Sequence, residues 1–301
     1  MIVALTGATG FVGQAVLDVA ARSGIKVRAL TRSHKAAREG VEWVEGNLHK
    51  KSALLELVDG ADAVIHVAGL TNAPDPAEFH EANVVGTRNV MRAAQDKDVR
   101  RFVFVSSLSA RKPGLSLYGK SKFEAEKWVG NSGLDYTIVR PPAVYGPRDK
   151  DMFELFRAAQ YGIVPVPPKG YTSIIHVDDL AECLLALAPA GTASGALLEP
   201  DDGREGGYEH AQMAKLIGKA MGKRVFAPHL PDFVLSLGAR IDRMVRGDQA
   251  KLTADRVGYM VHPDWVCSPE HAVPPDIWQP RIPGPEGFEQ TARWYEREGW
   301  L

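Results

Sequence analysis

The chain has 301 residues, 45 % of them hydrophobic, and carries 36 basic against 37 acidic side chains for a net charge of -1. That length and apolar content supply a core for one large α/β domain, or a domain with a smaller lobe. The near-neutral balance excludes nucleic-acid or membrane-surface binding driven by bulk charge.

The first strand starts at residue 2 and no apolar run reaches the length of a membrane span, so a cytoplasmic protein without a leader is expected. Cys183 and Cys267 show neither metal-ligand spacing nor a secretory context. Both are expected to be packing residues, with no disulfide and no metal site.

Residues 2–5, IVAL, read as a short strand buried on both faces. Gly7, Gly10 and Gly13 follow at three-residue spacing, and Phe11, Val12, Ala15, Val16 and Val19 begin an amphipathic helical pattern behind them. Glycine lacks a Cβ, so the turn can be tight and its backbone can approach a phosphate, while the helix N-terminus attracts negative charge. A pyrophosphate site on Gly7, Thr9, Gly10, Phe11 and Val12 is predicted. The spacing is not the Gly-x-Gly-x-x-Gly of the dinucleotide fingerprint, so the turn alone also fits an ordinary strand-to-helix connection. Its context decides.

Residues 26–30, KVRAL, form a second strand, with Thr31-Arg32-Ser33 at its end, where a dinucleotide fold meets the adenosine ribose. An acidic residue there binds the 2′-hydroxyl of NAD, whereas a basic one accommodates the 2′-phosphate of NADP. Thr31 stands in the acid's place, Arg32 follows, and Arg28 and Lys35 are close by. NADP is predicted over NAD, a solvated loop cation being the other reading of Arg32. Residues 41–45 make a third strand, after which Asn47 and Leu48 are placed to flank an adenine. Residues 62–67, DAVIHV, make a fourth, and Val67, Ala68 and Gly69 at its end can lie against a cofactor. A helix over residues 77–95 carries Asn83, Gly86 and Thr87. This alternation predicts a parallel sheet covered on both faces.

Residues 101–105, RFVFV, form the fifth strand and end in Ser106-Ser107, at the edge where ligands bind in such sheets. A helix beginning at residue 117 places Tyr118 and Lys122 on one face. A tyrosine with a pKa near ~10 is a poor base unless a cation favours its phenolate, and an ammonium one turn away does so. A serine hydroxyl can then hold a substrate oxygen while Tyr118 transfers the proton and hydride passes to or from a nicotinamide. Among eight tyrosines a lysine at this spacing also arises by accident. Its place after the fifth strand carries the inference.

Together these stretches resemble the extended short-chain dehydrogenase/reductase superfamily, of the NAD-dependent epimerase/dehydratase-like kind. The resemblance covers at least residues 1–187. It rests on TGATGFVG (6–13), DAVIHVAG (62–69), NVVGTRNV (83–90), FVSSLSA (104–110), YGKSK (118–122), RPPAVYGP (140–147) and IHVDDLA (175–181). It implies a Rossmann-type, doubly wound α/β domain of about seven parallel strands over 1–145 plus 172–190. A smaller, mainly helical substrate lobe is implied over 146–171 plus 191–301. Ser107, Tyr118 and Lys122 are implied as the catalytic trio, with Lys122 also holding the nicotinamide ribose and with Pro141 and Val144 among the cofactor contacts. Ser106 and Ser109 stay open as alternatives to Ser107.

Nucleotide-sugar members commonly carry Asn where Ala143 stands, and a phosphate-binding Arg where this chain has Tyr171-Thr172-Ser173. The pattern is nearer to the 3β-hydroxysteroid dehydrogenase and dihydroflavonol reductase branch. The implied activity is an NADP(H)-dependent oxidoreduction between a ketone or aldehyde and an alcohol on a small, fairly apolar substrate. A nucleotide-sugar epimerase or dehydratase and a non-catalytic NADP-binding structural subunit are the alternatives. A homodimer through the helices carrying Asn83 and Tyr118 is a family expectation, with no nucleic-acid or membrane partner.

Elsewhere the expectations are plain. His66 and His176 should be satisfied core histidines, a proton relay being the other reading; Arg148 and Asp149 should be a surface ion pair, a substrate-facing position being the other; and Asp178 and Asp179 should be the capping, acidic start of a helix. Beyond Pro189 the pattern turns loop-rich, with helices over 209–221 and 232–245 and a last one ending near 300. Phe233, Leu237, Met244, Tyr259, Met260 and Trp265 are expected in a core, pocket lining being the other reading.

Overall fold

The strands, in chain order, are β1 (Ile2–Thr6), β2 (Lys26–Thr31), β3 (Val41–Glu45), β4 (Ala63–His66), β5 (Arg101–Val105), β6 (Asp135–Val139), β7 (Ala143–Tyr145), β8 (Tyr171–Thr172), β9 (Ile174–His176), β10 (Ala196–Leu198), β11 (Tyr208–Glu209) and β12 (Asp264–Trp265). Between them lie α1 (Phe11–Arg22), α2 (Lys51–Val58), α3 (Pro76–Phe79), α4 (Gly86–Asp96), α5 (Leu117–Gly130), α6 (Phe153–Gln160), α7 (Val177–Ala186), α8 (His210–Ala220), α9 (Asp232–Arg246), α10 (Ala254–Met260) and α11 (Gly284–Arg297). This computed structural model describes residues 1–73 and 75–301. The chain divides into two compact units: Met1–Pro141 with Leu180–Pro200 and His271–Gln279, and Pro142–Asp179 with Asp201–Glu270 and Pro280–Leu301.

The first unit is built on a seven-stranded sheet in the order β10-β6-β5-β4-β1-β2-β3. Every pairing in it is parallel. β4 and β5 are buried along their whole length, which is why AVIH and RFVFV read as continuous apolar runs and not as alternation. On one face Leu54, Leu57, Val90, Met91, Phe102, Phe104 and Val129 pack into a single cluster. β1 is paired with β2 on one side and β4 on the other. The strand order therefore reverses between β1 and β4, and the crevice outside their carboxyl ends is where such a sheet takes a ligand.

The helix expected over 77–95 is not one helix. A π-helical turn at His80–Val85 separates α3 from α4. Such turns carry an extra residue in the ladder and are frequent at functional sites.

The second unit packs α6, α8 and α11 around Tyr145, Phe156, Phe288 and Tyr295, all fully buried. It also holds a three-stranded sheet, β11-β8-β12, and a two-stranded one, β7-β9. Residues 143–145 and 172–179, expected with the large sheet, fall in this unit because β7 and β9 pair with each other. Residues 191–200 and 271–279, expected in the substrate lobe, fall in the first unit, where β10 adds to β6.

Two expectations change here and a third gains a second role. Asp149 is no surface ion-pair partner: it is buried, and its carboxylate accepts from the N–H groups of Asp151 and Met152. Asp179 does open α7, and its carboxylate also accepts from the N–H groups of Arg281 and Ile282, fixing the segment before α11. Phe233, Leu237 and Met244 are exposed, since α9 turns Leu235 and Ala239 inward instead. Trp265 is buried, its indole N–H donating to the carbonyl of Tyr259. Both cysteines are buried and free.

Candidate active site

β1 delivers the chain to the crevice at Gly7, whose φ of +76° belongs to glycine. A Cβ on Gly7 would stand 2.7 Å from the backbone nitrogen of Ala68, and one on Gly13 only 2.1 Å from the carbonyl oxygen of Gly7. The glycines thus serve two purposes: Gly7 lets the end of β4 approach, and Gly13 lets α1 press against its own entry turn. Gly10 caps α1 in extended conformation with no side-chain cap, so the first-turn N–H groups, those of Phe11 and Val12 among them, remain for an anion. Thr9 is exposed on the same turn.

A polar chain fastens β1 to β4 beneath this turn. The Ala68 N–H donates to Thr6 Oγ1 (3.2 Å), which lies 2.6 Å from His66 Nδ1. His66 Nε2 lies 2.9 Å from Thr87 Oγ1, and Thr87 donates to the Asn83 carbonyl (2.6 Å). The donors run in one direction only if His66 is neutral with its proton on Nε2. Burial and the nearby Lys122 ammonium push its pKa down to about 3, in keeping with that state. His66 is a satisfied core histidine. Asn83 in turn accepts from the Leu70 N–H and donates to the Leu70 carbonyl and to Ser121 Oγ, which itself donates to the Tyr118 carbonyl. The π-helical turn is what presents Asn83 between the end of β4 and α5.

α5 starts behind Ser116, whose hydroxyl accepts from the Gly119 N–H. Tyr118 is half-buried, its ring 6.3 Å from that of Phe79. Lys122 is buried, donates to the Val105 carbonyl at 2.8 Å, and lies 5.0 Å from the centre of the Phe104 ring. A Cβ on Gly69 would stand 3.3 Å from its Nζ. Desolvation pushes the Lys122 pKa down to about 8, against the attraction of Glu126 one turn further on.

The three serines part company. Ser106 is buried and donates to Glu126 Oε1 at 2.5 Å. Arg140 grips the same carboxylate with two nitrogens, at 2.8 and 2.6 Å, and lies 3.7 Å from Glu199. Ser107 is half-buried and caps the short turn Leu108–Arg111, accepting from the N–H and the hydroxyl of Ser109. With Ser106 committed to a carboxylate and Ser109 to Ser107, the Ser107 hydroxyl keeps its proton to give. The turn is tied to the end of β6 through Leu108 N–H to the Pro141 carbonyl.

At the far end of the same edge, Thr31 is buried and donates to the Ser33 carbonyl, and Arg32 is exposed. Arg28 is spent on Glu42 and on the carbonyls of Glu56, Leu57 and Asp59. Asn47 accepts from the His49 N–H in a local turn, while Leu48 packs on Gly86, with its carbonyl held by Asn89. Val67 is half-buried beside Ala68. Of the expected cofactor residues only Val144, half-buried on β7, lies in the second unit. The pairing of Glu126 with Arg140 carries no sequence signal beyond the position of Glu126, which follows Lys122 at one-turn spacing on the same face.

Residues 3–196 match the model of the NAD dependent epimerase/dehydratase family. The chain belongs to the NAD-dependent epimerase/dehydratase family. It is similar to a ceramide reductase of Caulobacter vibrioides, 35 % identical over 309 residues, which is 100 % of this chain and 96 % of that protein. A second relative is 4-hydroxy-2-methyl-3-oxo-4-farnesyl-3,4-dihydroquinoline-1-oxide ketoreductase of Stigmatella aurantiaca, 31 % identical over 62 % of this chain and 64 % of its own length. Among solved structures, MoeE5 in complex with UDP-glucose and NAD matches with a TM-score of 0.76 at 21 % identity, covering 99 % of each chain, which shows the fold. Members of this family are NAD(P)-dependent enzymes, and the sheet order and glycine turn found here are those of a Rossmann domain. Among the described residues no group of histidine, cysteine, aspartate and glutamate is placed to hold a metal ion. Among the described residues no helix is long and apolar enough to cross a membrane.

Proposed function

We propose that the chain is an NADPH-dependent reductase of a ketone carried on an apolar, lipid-like substrate, with the first unit as cofactor body and the second as substrate body. The observation that carries the chemistry is Lys122: a buried ammonium, one helical turn after Tyr118, held at the strand end that also bears Ser107. The cofactor fits the turn at Gly7, because Gly7 and Gly13 let the backbone of the turn pack this closely and the first-turn N–H groups carry no side-chain cap. Bound there, it supplies the hydride for the carbonyl carbon. Ser107 donates to the carbonyl oxygen, Tyr118 gives that oxygen its proton, and the Lys122 charge stabilises the phenolate left behind. Asn83 holds α5 to the end of β4, so that Tyr118 and Gly69 keep their spacing.

The substrate class draws on the two relatives, whose names describe a ceramide reductase and the ketoreductase of a farnesylated ring. Ala143 and Thr172, standing where nucleotide-sugar members commonly carry Asn and Arg, agree with it. NADPH over NADH rests on Arg32, exposed beside the buried Thr31 where an acid would otherwise repel a 2′-phosphate. The test is one experiment on three proteins. Wild type is expected to consume NADPH in the presence of a long-chain keto amide. Tyr118→Phe should lose at least ~100-fold in kcat with NADPH binding intact, and Arg32→Ala should weaken NADPH binding far more than NADH binding. Full activity in Tyr118→Phe would remove the assigned acid, and equal losses for both cofactors in Arg32→Ala would remove the preference.

A further inference from the structure

α9 is amphipathic in the wrong direction for a core helix. Leu235 and Ala239 face Val257 of α10 in a thin cluster, while Phe233, Leu237, Ile241, Met244 and Val245 are 72, 54, 52, 86 and 76 % exposed. At about 100° per residue these five fall within an arc of about 120°, so solvent faces a continuous apolar stripe. Arg240 and Arg243 are exposed along one flank of the stripe. The one acid in the middle of the helix, Asp242, is turned the other way, accepting from the N–H groups of Lys251 and Leu252 and pairing with Arg246.

We propose that α9 is a docking surface for an anionic phospholipid bilayer, lying in the headgroup plane with the stripe immersed and Arg240 and Arg243 at the phosphates. The inference rests on the reading of the substrate as an apolar, lipid-like ketone, whose chains stay in the bilayer and which the enzyme has to meet there. The charge pattern is that of an interfacial helix: cations beside the apolar face and acid withdrawn from it. A helix of 15 residues is about 22 Å long, enough to lie on a membrane and too short to span one. Pairing with a second copy fits less well, because a two-fold axis across the middle of α9 would bring Arg240 against its own copy. The net charge of -1 hides this arrangement, since bulk charge averages over a local cationic edge.

The test is flotation of the full chain with vesicles of phosphatidylcholine alone and of phosphatidylcholine with phosphatidylglycerol in equal parts. Binding is expected to the anionic vesicles and to fall more than about tenfold in Phe233→Ser/Leu237→Ser/Met244→Ser. Arg240→Glu/Arg243→Glu should lose the preference for the anionic vesicles. The triple variant should keep NADPH binding and turnover of a short, water-soluble ketone, while losing turnover of a vesicle-borne one. Wild type that ignores both vesicles overturns the proposal, as does unchanged vesicle binding in the triple variant. So does a wild-type dimer, in native mass spectrometry, that the triple variant converts to monomer. Failure of wild type to reduce any ketone would instead strike the function proposed above, since flotation is read without turnover.

Discussion

Lys122 is where stability and chemistry pull against each other. Its ammonium is buried with one carbonyl for company, and desolvation holds its pKa at about 8, below the ordinary 10.5. Between those values the unfolded chain keeps the proton that the folded chain sheds, so stability rises with pH through that window. Below about pH 8 the cost of the buried charge is present in full. Lys122→Met removes that cost and leaves the Val105 carbonyl short of one donor, a loss smaller than the desolvation it relieves. The variant is expected to be more stable at pH 7 by ~1–2 kcal/mol in urea unfolding, and at least ~100-fold slower in turnover. A less stable variant would mean that the ammonium holds more of the fold together than Val105. Ser106, by contrast, belongs to the Glu126–Arg140 cluster, and a loss there should register in stability before it registers in the chemical step.

The β1–α1 turn works as one element because Gly13 touches Gly7. An alanine at Gly13 would put its Cβ 2.1 Å from the Gly7 oxygen, with backbone on both sides and nothing flexible to yield. At Gly10 the nearest atom is the same oxygen at 3.3 Å. Gly13→Ala is expected to cost more than ~2 kcal/mol and to abolish NADPH binding, whereas Gly10→Ala should fold and bind more weakly. Thermal unfolding and cofactor titration of the pair check this, and equal behaviour would show that the spacing of these glycines carries no geometry. The spacing itself was legible in the sequence, as were Tyr118 and Lys122 and the buried strands, because each is a local pattern along the chain. The Glu126–Arg140 pair was not, since it joins residues 14 apart that only the α5–β6 connection brings together. Periodicity marked α9 as amphipathic but could not say which side faces the protein. It placed Phe233, Leu237 and Met244 inside where the structure places them outside. The π-helical turn also escaped, because one added residue in a ladder leaves the surrounding apolar spacing almost unchanged.

Across the molecule, the two units bury ionisable groups of opposite sense, and pH should act on them in opposite directions. His66, in the first unit, is neutral with a pKa of about 3 against an ordinary 6.5. As pH falls below 6.5 the unfolded chain takes up a proton that the folded chain refuses, so its contribution, complete above 6.5, is lost on acidification. Asp149, in the second unit, is pushed up to about 7 from 3.8 by burial, although its two backbone donors oppose the shift. There the folded chain holds the proton that the unfolded chain has lost, so the cost of the buried charge is present above about 7 and is relieved as pH falls toward 3.8. Each group changes local stability by at most ~1.4 kcal/mol per pH unit. Between pH 7 and 5, then, amides of β4 and the segment after it should lose hydrogen-exchange protection, once intrinsic rates are corrected, while amides of residues 149–156 keep or gain it. His66→Gln should flatten the response of the β4 amides and leave that of residues 149–156 alone. Loss of protection at residues 149–156 would mean that Asp149 does not set the acid response of its unit, and a His66→Gln profile identical to wild type would mean that His66 does not set that of β4.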